Sequence, residues 1–276
     1  MNEAFTINGV SLDTYAFMLT DISGAMKSPA RRGENVIVPN RHGRIRTIGK
    51  KFDSNEIVLP LWIWGSLPDG SIPGGSDDRR EFFKRRDELL RLIYADPLVL
   101  AYTRPDGHTV QATAEVVDVL DWTRRRDDPC AQVSVALEIL DAFWEDADTV
   151  SQDISGVTDT ETELTEFEGT TAPTSDLLIT FFGPCNNPQI THGVRWVKYN
   201  GVIASGQQLR IDTQTWQVGP GSGSIWTPDI RNIDQGYPGP WFEIDPATVP
   251  FSVTFTHTTG SSVTATIAGR RKYLSA

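Results

Sequence analysis

Residues 77–95, DDRREFFKRRDELLRLIYA, are the one stretch of this chain whose apolar residues recur with a helical period. Phe82, Phe83, Leu89, Leu90, Leu92 and Ile93 fall near helical spacing, with Arg and Lys on the opposite side. Asp77 or Asp78 stands where an N-cap is wanted and Pro97 lies just past the end. The pattern therefore predicts one helix over about 78–95. The other long apolar segments are short and mostly alternate with period two, so sheets must carry the rest of the fold and the class is mainly β.

At 276 residues the chain exceeds an ordinary single domain, and two domains are expected. Residues 1–148 are expected to form a β-sandwich or split-barrel domain around the helix. Ala4–Val10 and Tyr15–Asp21 look like strands, with a turn at Asn8-Gly9. A basic arm follows at 24–51, expected to project as a hairpin or loop. In Phe52–Trp64, Ile57, Leu59, Leu61 and Ile63 alternate with Val58, Trp62 and Trp64, so both faces are apolar. Such a strand is covered on both sides or sits at an interface. Beyond a loop at Ser66–Ser76 and the helix, strands are expected at Leu98–Thr103, Val110–Leu120 and Ala131–Ala142.

Residues 149–175 are acidic and rich in Thr and Ser, the composition of a linker or an edge segment. Residues 176–276 carry only short strand-like runs with turn signals between them. Examples are Leu177–Phe182, Arg195–Tyr199, Gln208–Asp212, Gln214–Val218 and Phe251–Thr256, with turns at Asn200-Gly201 and Gly219–Gly223. This rhythm predicts an all-β sandwich.

The net charge of −11 is distributed unevenly. Lys27, Arg31, Arg32, Arg41, Arg44, Arg46, Lys50 and Lys51 face a single acid, Glu34, between residues 24 and 51. Asp153, Asp159, Glu161, Glu163, Glu166 and Glu168 stand without a base between 153 and 168. A globally acidic chain is a poor general binder of nucleic acid, whereas opposite local patches favour self-association. MNEAFTINGV lacks the basic start and apolar run of a secretory signal, and no apolar stretch nears the roughly 20 residues of a membrane span. Two distant cysteines, Cys130 and Cys185, suit free thiols in a reducing cytoplasm.

Little in the chain points to catalysis, and no enzyme activity, metal or cofactor is expected. His42, His108, His192 and His257 form no metal-binding spacing. There is no nucleophile elbow or phosphate-binding loop. Asp229, Asp234, Glu243 and Asp245 could supply a glycosidase pair only if two faced each other across a groove, and loop carboxylates are more often solvated. Trp196, Tyr199, Trp216, Trp226, Tyr237, Trp241 and Phe242 make the C-terminal half aromatic. Sandwiches use such rings in their cores, but an exposed one stacks on a sugar, and Tyr237 and Trp241 in the stretch DQGYPGPW are the first candidates for glycan or partner contact.

The order FTINGVSL, basic loop, EIVLPLWIWG, the helix, VSVALEILDAFWED and an all-β C-terminal domain resembles the distal tail protein (Dit) family of long non-contractile-tailed bacteriophages. The resemblance implies a hexameric ring of N-terminal domains joining the tail tube to the tail-tip hub, with the tape measure protein in the same assembly. It implies a galectin-like or carbohydrate-binding-module-like C-terminal sandwich facing outward, with host cell-wall glycan as a further partner. It also implies a chain made in the host cytoplasm and housed in the virion. Arg41, Arg44, Arg46, Lys50 and Lys51 would form the inter-subunit arm, and Leu59, Leu61, Trp62 and Trp64 the strand buried by ring closure. The runner-up is a carbohydrate-binding adhesin.

Overall fold

The computed structural model describes residues 3–32, 51–118, 120–125, 127–154, 156, 158–215, 217–222, 225–226, 229–236, 242–258 and 263–276. The chain divides into two compact units, residues 1–147 with 273–276, and residues 148–272. The final four residues thus rejoin the first unit, and the chain passes between units twice.

Unit 1 contains β1 (Ala4–Ile7), β2 (Val10–Ser11), β3 (Phe17–Leu19) and β4 (Asn55–Trp64) before helix α1 (Asp77–Ile93). After it come β5 (Leu98–Thr103), β6 (Thr109–Val116), β7 (Asp121–Thr123), β8 (Cys130–Ile139) and β9 (Trp144–Asp146). They form one curled sheet in the order β2-β1-β5-β6-β8-β4-β3, with β7 beside β8 and β9 beside β6. Asn8 and Gly9 both adopt left-handed backbone angles, φ 49° and 78°, which suits the tight hairpin between β1 and β2. The longest pairing is β4 against β8, in register from Asn55 opposite Ile139 to Trp64 opposite Cys130. Its inner face sends Ile57, Leu59, Leu61 and Ile63 against the same core as Val133, Val135, Leu137 and Ile139, all fully buried.

Helix α1 closes over that core through Phe82, Leu89 and Ile93. Its first turn holds Asp77 and Asp78 and its last turn Arg91, charges matched to the helix dipole. The flanking cap is Ser76 rather than either aspartate, and the helix stops at Ile93 where Tyr94 donates its N–H to the Leu90 carbonyl. Gly65 lets the helix approach the end of β4, since a Cβ there would overlap the Asp78 carbonyl.

Unit 2 begins with β10 (Val150–Ile154), β11 (Thr160–Glu163), β12 (Leu177–Phe182), β13 (Cys185–Asn186), β14 (Gln189–His192) and β15 (Arg195–Tyr199). It continues through β16 (Val202–Ile203), β17 (Gln208–Asp212), β18 (Gln217–Ser222), β19 (Ile225–Trp226), β20 (Ile233–Gln235), β21 (Ser252–Thr256) and β22 (Ala265–Gly269). One sheet runs β10-β22-β12-β17-β18-β19 and a second β11-β21-β14-β15-β20. They share one core, with Ile179, Phe181, Ile211 and Ile267 from the first and Ile190, Val197, Val253 and Phe255 from the second. Phe181 and Phe255 stack across it with centroids 5.5 Å apart. A short β23 (Lys272–Tyr273) pairs with β9 as the chain returns to unit 1.

One expectation in unit 2 needs correction. The turn expected at Gly219–Gly223, whose last residue lies outside the described residues, is strand over its described part: β18 runs through Gly219, Pro220 and Gly221, paired with Arg210, Leu209 and Gln208. The turn comes earlier, where the Asp212 carboxylate accepts the N–H groups of Gln214 and Thr215. Residues 149–175, expected as a linker or edge segment, supply β10 and β11, each an edge strand of its sheet. They also place Leu164 and Phe167 in the core.

Candidate assembly surface

The outer face of β4 sets its inner face in relief. Val58 and Met18 are each 39% exposed, while Pro60, Trp62 and Trp64 are half-buried on that same face. Register places Trp62 between Met18 of β3 and Gln132 of β8, and Trp64 beside Cys130. The two indoles stack with centroids 6.1 Å apart and planes 17° from parallel. Half-exposed tryptophans side by side are costly to leave in water and are favoured as anchors in interfaces.

The four residues expected to form a ring-interface strand therefore separate. Trp62 and Trp64 present themselves outward. Leu59 and Leu61 have no exposed surface and serve this unit's own core. The period-two geometry of a strand makes that division unavoidable once one face is covered.

Like charges line the same outer face toward the start of β4. Glu56 lies opposite Glu138, and Glu138 opposite Glu115 of β6. Ser54 donates its hydroxyl to Glu138. Glu56 and Glu115 are exposed. Nothing local in the sequence marks this row, because only the register joins positions 56, 115 and 138.

Of the basic arm, Arg41, Arg44, Arg46 and Lys50 lie outside the described residues, and Lys51 is exposed at its end. The arm's base is a short ladder. Arg31 bridges Phe52, the Arg32 N–H donates to the Lys51 carbonyl, and the Asp53 N–H donates to the Ala30 carbonyl. Arg31 lies 5.3 Å over the Phe52 ring and Arg32 pairs with Asp53 at 3.1 Å. Tyr237 and Trp241 lie outside the described residues, as does Trp216.

The chemistry-bearing side chains of unit 2 hold structure. His192 is buried, with Nδ1 on the Ser252 carbonyl and Nε2 accepting the Asp245 N–H. Arg195 pairs with Glu243 at 2.6 Å and with Asp245 at 3.6 Å. Asp229 accepts the Tyr199 hydroxyl and the Asn232 amide, and Asp234 accepts from Asn200. Burial pushes the Cys185 thiol up to about 11, far from a thiolate at neutral pH. In unit 1, Asp146 accepts from Tyr273 and pairs with His108 at 2.7 Å, which fastens the returning C-terminus. Among the described residues no three His, Cys, Asp or Glu are grouped to hold a metal ion. No helix of the described residues is long and apolar enough to cross a membrane.

The sequence matches no family model and no curated protein. Solved structures do match. The crystal structure of the Dit protein (gp 19.1) of phage SPP1, described as a paradigm of the hub adsorption apparatus in phages infecting Gram-positive bacteria, aligns over 98% of this chain and 99% of its own. The TM-score of that alignment is 0.63 at 13% identity. A chain of the phage P2 baseplate in its activated conformation aligns over 97% of this chain and 98% of its own, with a TM-score of 0.42 at 10% identity. From the first hairpin to the returning C-terminus, the chain has the fold of the phage distal tail protein Dit.

Proposed function

We propose that this chain is a structural tail-tip protein of a phage, and that copies of it assemble into a ring joining the tail tube to the adhesion hub. The observation that carries this reading is the full-length likeness to SPP1 Dit, at both ends of both chains. The half-buried, outward-facing pair Trp62 and Trp64 supports it, because a sheet face of this kind is stabilised when another surface covers it. On this reading the chain is made in the host cytoplasm, ends in the virion and binds the tube and hub proteins. On this reading it has no catalytic role, in keeping with the structural contacts of His192, Asp229, Glu243 and Asp245.

Native mass and negative-stain images of the purified chain test the proposal. Ring-shaped particles near six times the 30.6 kDa of one chain support it. A monomer at every concentration, alone and with tube protein, contradicts it.

One observation favours sugar binding as a second reading. Trp196 lies on the outer face of the five-stranded sheet, since its neighbours Val197 and Tyr199 point into the core, and it shares that face with Thr191, Gln189 and Lys198. A half-exposed indole among hydroxyl, amide and amine groups is the chemistry of a sugar platform. A glycan array on the parent and on Trp196→Ala decides it: sugar signal lost in the variant supports the reading, and a blank array for both removes it.

A further inference from the structure

Helix α1 has an outer face as distinctive as its inner one. Arg80, Phe83, Lys84, Asp87, Arg91 and, just past the last turn, Tyr94 stand three or four positions apart and share one stripe. Phe83 is 43% and Tyr94 61% exposed. The Phe83 ring has two guanidiniums beside it, Arg86 at 4.9 Å and Arg124 at 5.3 Å from its centroid. Arg124 donates Nε to the Asp128 carbonyl, but its Nη2, shielded from water, has no acceptor. A donor in that state is stabilised by a carboxylate brought to it. The acids around the stripe are already engaged: Glu81 with Lys84, Asp87 with Arg86 and, from the loop after β7, Asp127 with Arg79. Asp77 and Asp78 stand in the first turn, where the helix dipole holds them. Arg80 and Arg91 form no ion pair among the described residues. Exposed rings and guanidiniums together are the anchors of an interface, and here they suit an anionic partner.

Unit 2 supplies the opposite character. Residues 158–168 contain no Lys or Arg, and Asp159, Glu161, Glu163, Glu166 and Glu168 are all exposed. None of the five forms an ion pair among the described residues. The segment comprises β11 and the short helical turn Thr165–Phe167, anchored by Leu164 and Phe167 in the core. Its backbone is therefore fixed before any partner arrives, so docking carries little ordering cost. We infer that the outer face of α1 docks residues 159–168 of a second copy, whose carboxylates meet Arg80, Arg91 and Arg124. This rests on the self-assembly reading above and adds to it a contact between unit 1 of one copy and unit 2 of the next. Unlike surfaces on one chain make a head-to-tail contact of this kind.

Charge exchange tests the contact. Arg80→Glu with Arg91→Glu, and separately Glu163→Lys with Glu166→Lys, alter only exposed side chains, and thermal unfolding checks that each variant is folded. Glu161 is left in place because it accepts the Ser252 hydroxyl. Either pair is expected to weaken self-association about tenfold at low salt, measured by sedimentation velocity. All four changes in one chain should restore it. Self-association unchanged in both pairs overturns the docking and leaves self-assembly standing; a parent that never associates overturns both.

Cysteine pairs then identify the occupant. In a Cys130→Ser background, chains carrying Arg80→Cys are mixed with chains carrying Glu163→Cys under mild oxidation. A disulfide-linked pair of unlike chains, identified by mass, is expected. Bond formation only when both cysteines lie in one chain overturns the assignment to a second copy, and no bond in either arrangement overturns the contact itself.

Discussion

The two units solve the same problem in different ways. In unit 2, two sheets cover one another, so each strand has a buried inner side, and the outer side of β14, β15 and β21 carries Gln189, Thr191, Lys198, Thr254 and Thr256 around the single indole of Trp196. In unit 1, one sheet curls over a core closed by a single helix, and the outer side of β3, β4 and β8 retains Met18, Val58, Trp62 and Trp64. Unit 2 is complete as a fold. Unit 1 is complete only on its inner side, and its outer face has the composition of a contact.

Substitutions in the two cores should have the largest effects and should not depend on assembly. Phe255→Ala removes one half of the stacked pair between the two sheets and should destabilise unit 2 by about 3–5 kcal/mol. Leu61→Ala should cost unit 1 about 2–5 kcal/mol. Denaturant unfolding followed by limited proteolysis of each unit checks both, and equal damage to both units from either change would break the division drawn here.

The outer face should respond oppositely. Trp62→Ser with Trp64→Ser should cost the isolated chain about 1–3 kcal/mol, less than the core changes, because both rings are only half-buried. The same pair should abolish self-association in sedimentation velocity. A large loss of monomer stability with association intact would make these rings core residues and erase the contrast between the two faces of β4.

The smallest effect sharpens the picture of unit 2 as a closed core. Burial pushes the Cys185 thiol from 9.0 up to about 11. Burial, reinforced by the hydrogen bond to Asp229, pushes the Tyr199 hydroxyl from 10.0 up to about 12. Both groups keep their protons longer in the folded chain, so the unfolded chain ionises first as pH rises. Stability that is fully present below pH 9 should therefore fall between pH 9 and 12. Cys185→Ala should remove the lower part of that fall, between pH 9 and 11, in chemical unfolding at fixed temperature.

What the sequence revealed followed the range of the interactions involved. Helix α1, the Asn8-Gly9 hairpin and the double-sided apolar character of β4 are encoded within a few residues, and each was legible. Which side of β4 faces the core was not, because Leu61 and Trp62 are both apolar and only pairing with β3 and β8 separates them. The Thr, Asp and Glu content of β10 and β11 left linker and edge segment undivided in the sequence, since an edge strand with an exposed outer side has the composition of a loop. The return of Tyr273 to β9 and the glutamate row depend on contacts across about 20 to 130 positions, which no local pattern encodes. Tyr237 and Trp241, chosen from sequence as contact residues, lie outside the described residues, whereas Trp196 was one aromatic among several until the register placed it outward.

Sedimentation velocity on the parent and on Trp62→Ser/Trp64→Ser, side by side at rising concentration, tests most directly whether the outer face of unit 1 exists to be covered. A parent that assembles toward a closed ring while the variant remains a folded monomer is the predicted result. Identical behaviour of the two chains, whether both assemble or both stay single, would contradict it.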